Sequence, residues 1–136
     1  PLLRDPMVAV MPADHPWAGR KTFPIERYAE EPFIEVYPGE DCDNARTLAA
    51  CGVKPRPRYT VRDTHAAFAL VEAGLGITLM NDIDTRSAIA FLPLAPRTDI
   101  EIGVATPASA LSPALAAFED FALPRLSAQS QALAGK

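Results

Sequence analysis

Apolar and polar positions change their period several times along this chain, and the clearest change lies between Arg58 and Asp82. Tyr59, Thr60 and Val61 are aromatic or β-branched, which suits a pleated strand. Arg62-Asp63-Thr64 interrupts that run and offers Asp63 or Thr64 as the side-chain oxygen that caps a helix start. From His65 onward, Ala67, Leu70, Val71 and Gly74 recur at helical spacing. Gly74 can adopt the left-handed conformation that ends a helix. Leu75 to Met80 is then apolar and uncharged, as in a strand covered on both faces. Strand, helix and strand in this order predict a parallel pair joined by a right-handed crossover. Small molecules bind such units beside the strand ends and helix starts.

The flanks follow the same logic. Met7 to Met11 is an apolar strand stopped by Pro12, and Ala13 to Lys21 is a loop in which Trp17 lays its ring over the domain surface. Pro24 to Tyr28 reads as a single helical turn with proline at its first position, and Phe33 to Tyr37 as the next strand. Pro38-Gly39 turns the chain into a helix from Glu40 to Cys51 that Gly52 closes, and Lys54-Pro55-Arg56-Pro57 is a stiff connector. Beyond Met80, Asn81-Asp82 is expected to cap a short turn running to Arg86. Ile89 to Leu94 reads as an edge strand, because Pro93 has no N–H to give a central ladder. Asp99 to Ala105 alternates, with Ile100, Ile102 and Val104 on one side, and predicts a half-buried strand. Ser112-Pro113 opens a helix that carries Leu115, Phe118 and Ala122 on one face. Pro124 is expected to end or kink that helix, and Ser127 to Lys136 to fray.

Composition narrows the classes. With 136 residues, 49% hydrophobic and 22% charged, the chain can bury one ordinary core. A net charge of −4 argues against this stretch gripping nucleic acid, and no apolar run reaches the length of a membrane-spanning helix. The opening PLLRDPMVAVMP has neither an initiator methionine nor a signal peptide, which suggests a piece of a longer chain. Cys42 and Cys51 flank a predicted helix, roughly 13 Å apart along its axis, too far for a disulfide. They read as reduced, buried thiols of a cytoplasmic protein. His15 and His65 lack ligand spacing, so neither a metal nor a cofactor is expected. No phosphate loop or nucleophile elbow is present, and no catalytic residue is assigned. Asp63 and His65 do not face each other, so Asp63 reads as a cap; Glu40, Asp41 and Asp43 suit the positive end of a helix dipole.

Four segments in order, DPMVAVMPADHPWAG, PIERYAEEPFIEVYP, VRDTHAAFALVEAGLGITLM and a closing strand before SPALAAFEDF, resemble the effector-binding domain of LysR-type transcriptional regulators. Asp14-His15-Pro16-Trp17-Ala18 matches that family's "DHPLA"-like loop, and Leu70 to Met80 its "lVaaGlGia.lP" segment. Tyr28 stands where the family usually has Leu, and Met80-Asn81 where Leu-Pro is common. The resemblance covers nearly the whole chain. It implies an α/β fold of the type 2 periplasmic-binding-protein kind: a Rossmann-like βαβ sheet with flanking helices, in two lobes with a small effector between them. Residues 1–11 would be a hinge strand, 12–97 the effector-binding lobe II, and 98–136 the return strand and C-terminal helix of lobe I. A winged helix-turn-helix, its linker helix and the first part of lobe I would precede Pro1.

On that resemblance the cleft side of lobe II would be Glu35, Val36, Tyr37, Asp63, Thr64, Met80 and Asn81. Free N–H groups at a helix start favour a carboxylate or phosphate on the effector. Asp63 already occupies its own helix start, so an amine or hydroxyl of the effector is expected opposite it. The implied function is a cytoplasmic, non-enzymatic sensor of a carboxylate or amine metabolite, reaching DNA only through the preceding domain. A homodimer or homotetramer is expected, with no membrane partner. A periplasmic-type solute-binding protein of the same fold is the alternative. An enzyme on this fold would need cleft residues from elsewhere. An interaction module would pair through exposed Ile100, Ile102, Phe118 and Phe121, for instance by exchange of the C-terminal segment.

Overall fold

Strand β1 (Leu3–Pro12) shows why the sheet takes its place in the molecule. Met7, Ala9 and Met11 turn to one face and Val8 and Val10 to the other, and all five are buried. A strand that is apolar on both faces must be covered on both. The computed structural model describes residues 2–81, 88–106 and 112–134. It divides into two units, Pro6–Ile100 and Pro1–Asp5 with Glu101–Lys136.

In the larger unit β1 lies between two antiparallel neighbours, β5 (Thr78–Asn81) and β6 (Ile89–Ala95). The two-residue β2 (Phe23–Pro24) pairs in parallel with the end of β6, at Leu94 and Ala95. The predicted edge strand therefore has partners on both sides, and Pro93 is exposed at the last β1-paired position, one residue before β2 takes up the pairing at Leu94. A single 3₁₀ turn follows at Ile25–Ala29, where a helical turn is predicted. Strand β3 (Phe33–Val36), helix α1 (Asp43–Ala50), strand β4 (Pro57–Val61) and helix α2 (Thr64–Glu72) complete the unit. Helix α1 starts three residues later than predicted, and Gly52 follows it at φ 69°. Asp82 to Arg86, the predicted short turn, lies outside the described residues.

The strands flanking α2 are not direct neighbours. Strand β4 pairs in parallel with β3, and β3 meets the β5 side through Ile77, so β3 lies between them. The join is narrow. Ile34 N–H donates to the Ile77 carbonyl at 2.9 Å, and Ile77 N–H donates to the Pro32 carbonyl at 2.9 Å. Gly76 makes this approach possible: a Cβ there would lie 2.5 Å from the Pro32 carbonyl oxygen. Two buried side chains brace the same place. Thr78 Oγ1 donates to the Ile34 carbonyl at 2.8 Å, and the Tyr28 hydroxyl donates to the Thr78 carbonyl at 2.7 Å.

Two apolar layers cover the sheet. One gathers Met7, Met11, Phe23, Tyr28, Phe33, Leu48 and Leu79, and the other Val8, Val10, Ile34, Val36, Phe68, Val71 and Met80. Trp17 packs edge-on against Phe23 at 5.7 Å, and Arg27 lies 5.3 Å from its ring centre, as expected of a side chain covering the surface. Phe23, Tyr28 and Phe33 carry the aromatic series inward at 5.0 and 5.4 Å. His15 accepts from the Trp17 N–H at Nδ1, 3.3 Å, and sets Nε2 3.5 Å from Glu31. Cys42 and Cys51 are free and stand at the two ends of α1, half-buried rather than buried.

In the smaller unit the Leu2 N–H donates to the Ile102 carbonyl at 2.8 Å. Strand β7 (Asp99–Ile102) is shorter than predicted and departs from the half-buried pattern: Ile100 is half-covered, while Ile102 and Val104 are exposed. Helix α3 (Pro113–Ala134) starts as predicted, with Ser112 Oγ accepting from the Leu115 N–H at 3.2 Å. It continues through Pro124 and across most of the stretch expected to fray. Pro124 is exposed, so the carbonyl it leaves without a helical donor can be hydrated. Its half-covered side carries Leu115, Ala116, Glu119, Ala122 and Leu126, while Phe118 and Phe121 are exposed, as the sequence reading expects of them.

Two predictions test the join. Gly76→Ala drives a methyl into the Pro32 carbonyl and should cost about 2 kcal/mol or more in urea unfolding, a size reserved for steric conflict in a core. Tyr28→Phe should cost about 1–2 kcal/mol at neutral pH by stripping a buried carbonyl of its donor. Burial raises the Tyr28 pKa well above the ordinary phenol value. The unfolded chain ionises this phenol near pH 10 while the folded chain keeps its proton, so stability falls as pH rises above about 10. Urea midpoints followed upward from pH 9 should fall more steeply in the parent than in Tyr28→Phe.

Candidate functional site

Parallel strand β3 ends at Val36, and the chain then leaves the sheet through Tyr37 at φ 56°. A left-handed conformation is uncommon for an aromatic residue and needs support. Here the Tyr37 N–H donates to the Val61 carbonyl at 2.9 Å, and the Tyr37 carbonyl accepts from the Glu40 N–H at 3.1 Å. Pro38 and Gly39, the latter at φ 76°, complete the turn into α1. Strand β5 reaches the same end of the sheet at Met80 and Asn81.

Helices α1 and α2 begin there too. Asp63 is the N-cap of α2, its Oδ1 accepting from the Ala66 N–H at 2.8 Å, as the sequence predicts. Helix α1 has Cys42 at its N-cap, and no side-chain cap bond serves its first turn. Asp41 instead turns to Arg46, accepting from Nε at 2.7 Å and from Nη2 at 3.0 Å. The hydrogen bond and the adjacent positive charge lower the Asp41 pKa. Arg46 Nη1 also lies 3.3 Å from Asp43.

A hollow of about 140 Å³ opens where these ends meet. Val36, Tyr37, Thr64, Met80 and Asn81 line it together with Cys42, Asp43 and Asn44. Five of the seven residues anticipated from the sequence are thus brought together. Asp63 lines neither hollow described here, and one of its oxygens is engaged in the cap. Glu35 lines a different hollow, of about 690 Å³, on the side of β3 that faces α1. Phe33 belongs to one apolar layer and Ile34 and Val36 to the other, and Val36, at the end of the strand, lines both hollows. Cys42, Asp43 and Asn44 were not singled out as site residues. Their signal in the sequence is the helix start after Pro38-Gly39, the same kind of signal that marked Thr64.

Chemically the smaller hollow offers first-turn N–H groups of α1, the Thr64 hydroxyl, and the amides of Asn44 and Asn81, beside apolar Val36 and Met80. Donors of this kind orient a small polar ligand. Among the described residues no group of three or more His, Cys, Asp or Glu side chains forms a metal site, and no helix is long and apolar enough to cross a membrane.

Comparison with solved structures finds the same architecture in proteins of low sequence identity. HinK, a LysR family transcriptional regulator from Pseudomonas aeruginosa, superposes with a TM-score of 0.72 at 19% identity, over 95% of this chain and 48% of that one. The effector-binding domain of QuiR in complex with shikimate gives 0.69 at 22% identity, over 92% of this chain and 63% of its own. The regulatory domain of CcmR from Synechocystis in complex with 2-PG gives 0.68 at 22% identity, over 96% of this chain and 65% of its own. The chain thus spans less than two thirds of the length of these structures. No curated protein matches it by sequence. The family model for the LysR substrate binding domain matches residues 1–127 of the 136. The chain belongs to the LysR substrate-binding domain family, ligand-sensing regulatory domains of transcription factors with the type 2 periplasmic-binding-protein-like fold.

Proposed function

We propose that this chain holds its effector at the 140 Å³ hollow and reports its presence to a DNA-binding domain elsewhere in a LysR-type regulator. One observation carries the reading: two helix N-termini and the ends of two strands converge on a single hollow, and α1 brings its first-turn donors without a side-chain cap. Helix N-termini favour negative charge, so the effector is a small carboxylate or phosphate-bearing metabolite. Thr64, Asn44 and Asn81 fix its orientation, and Val36 and Met80 bound its apolar part. QuiR with shikimate and CcmR with 2-PG support a small-molecule ligand for a domain of this fold.

The hollow has the room of about five waters, less than a whole metabolite needs. In this reading residues 12–97 are lobe II, residues 1–11 and the start of 98–136 are the hinge crossings, and lobe I supplies the other wall of the cleft. The protein acts in the cytoplasm as a homo-oligomer and catalyses no reaction. Asp63 serves the site by fixing the start of α2 rather than by touching the effector.

Two measurements test this. With the full-length regulator and the carboxylate that induces it, Thr64→Val and Asn81→Leu should each weaken binding about tenfold, the worth of one hydrogen bond to a charged group. Unchanged affinity in both would remove the hollow from consideration. Asp63→Ala should lower the stability of the domain by about 1 kcal/mol through loss of the cap, while Asp63→Asn, which still caps, leaves both stability and effector preference nearly as they are. A changed preference in Asp63→Asn would restore Asp63 as a ligand contact.

A further inference from the structure

The larger hollow is chemically unlike the smaller. Its volume, about 690 Å³, falls within the range of about 300–1,000 Å³ that small-molecule sites occupy. Phe33, Val36 and Leu48 give it an apolar floor, and Val53 and Pro55 an apolar side. Its ionisable groups, apart from Tyr37 and Cys42, are Glu35, Glu40, Asp41 and Lys54, three carboxylates against one ammonium. Two of the carboxylates are answered from outside the lining: Asp41 by Arg46 at 2.7 Å, and Glu40 by Arg62 at 3.8 Å. Glu35 is different. It is half-buried on β3, and among the described residues no hydrogen bond or ion pair satisfies its carboxylate. Lys54, the only cation in the lining, is exposed on the connector.

We propose that this hollow is a second ligand site, for a small organic amine whose ammonium pairs with Glu35 and whose apolar body lies against Phe33, Leu48 and Val53. A carboxylate set beside an apolar floor suits a cation that brings its own hydrocarbon, which pairs with the charge while covering the floor. A carboxylate ligand of the same body would meet Glu35 with like charge. The site shares Val36, Tyr37, Cys42 and Asn44 with the smaller hollow, so the two lie on either side of a common wall. It does not depend on the smaller hollow holding an effector.

The test uses three probes of matched shape, 2-phenylethylamine, 2-phenylethanol and 3-phenylpropanoate, titrated into the 136-residue chain and followed by amide chemical shifts. The amine should bind saturably and more tightly than the alcohol, with 3-phenylpropanoate weakest, and the shifts should centre on Glu35, Leu48, Ala49 and Val53. Glu35→Gln should weaken the amine about tenfold and bring it level with the alcohol, whose affinity holds. Ala45→Phe, at an exposed position on the rim, should block all three while the spectrum stays folded. The proposal is overturned if the amine does not saturate, if amine and carboxylate bind the parent equally, or if the shifts centre on Thr64 and Met80. Those last two residues line only the smaller hollow, so that outcome separates this claim from the effector reading.

Discussion

Two backbone hydrogen bonds hold the larger unit's sheet together, those between Ile77 and the Pro32–Ile34 segment. On one side of them stand β3 and β4, and on the other β5, β1, β6 and β2. No wider ladder spans the gap, so the join depends on how closely the two backbones approach, which Gly76 alone permits. The hydroxyls of Tyr28 and Thr78 then tie the 3₁₀ turn, β5 and β3 to the same point. The functional consequence is positional. Val36 and Tyr37 lie at the end of β3, Met80 and Asn81 at the end of β5, and both hollows take Val36 as a wall, so the join at Ile77 sets the walls of the smaller hollow relative to one another.

Much of this was legible in local pattern. The Asp63 cap, the proline-led turn at Pro24 and the helix opened by Ser112 are all short-range effects and stand within a residue of where the sequence puts them, whereas the apolar run from Leu75 becomes a strand only at Thr78 and leaves Leu75 exposed. What the sequence did not show was neighbour order. Tyr59 to Val61 and Leu75 to Met80 do flank a crossover helix, yet β3 inserts between them. Pairing of that kind is decided by contacts across the chain, which no window of residues contains. Glu35 was grouped with Val36 and Tyr37 by sequence adjacency, whereas in the fold it lines only the larger hollow while those two line both. Alternation also failed at Ile102 and Val104, because it reports which residues share a side and not whether anything covers that side.

Departures from the family pattern have physical accounts here. Tyr28, where Leu is usual, adds a hydroxyl that would be costly in a core, and the Thr78 carbonyl at 2.7 Å removes that cost. Asn81, where Pro is common, places an amide at the rim of the smaller hollow, a group that can read a ligand's oxygen where Pro offers only shape. In the proposed reading the start of α1 matters more than its length, since no side-chain cap bond serves it and its first-turn donors are the ones assigned to the effector.

The most direct measurement is a crystal structure of the full-length regulator bound to the metabolite that induces it. Ligand density is expected against the first turn of α1, with Thr64 and Asn81 within hydrogen-bonding distance and Asp63 still capping α2. Ligand density that leaves Thr64, Asn44 and Asn81 untouched would contradict that placement.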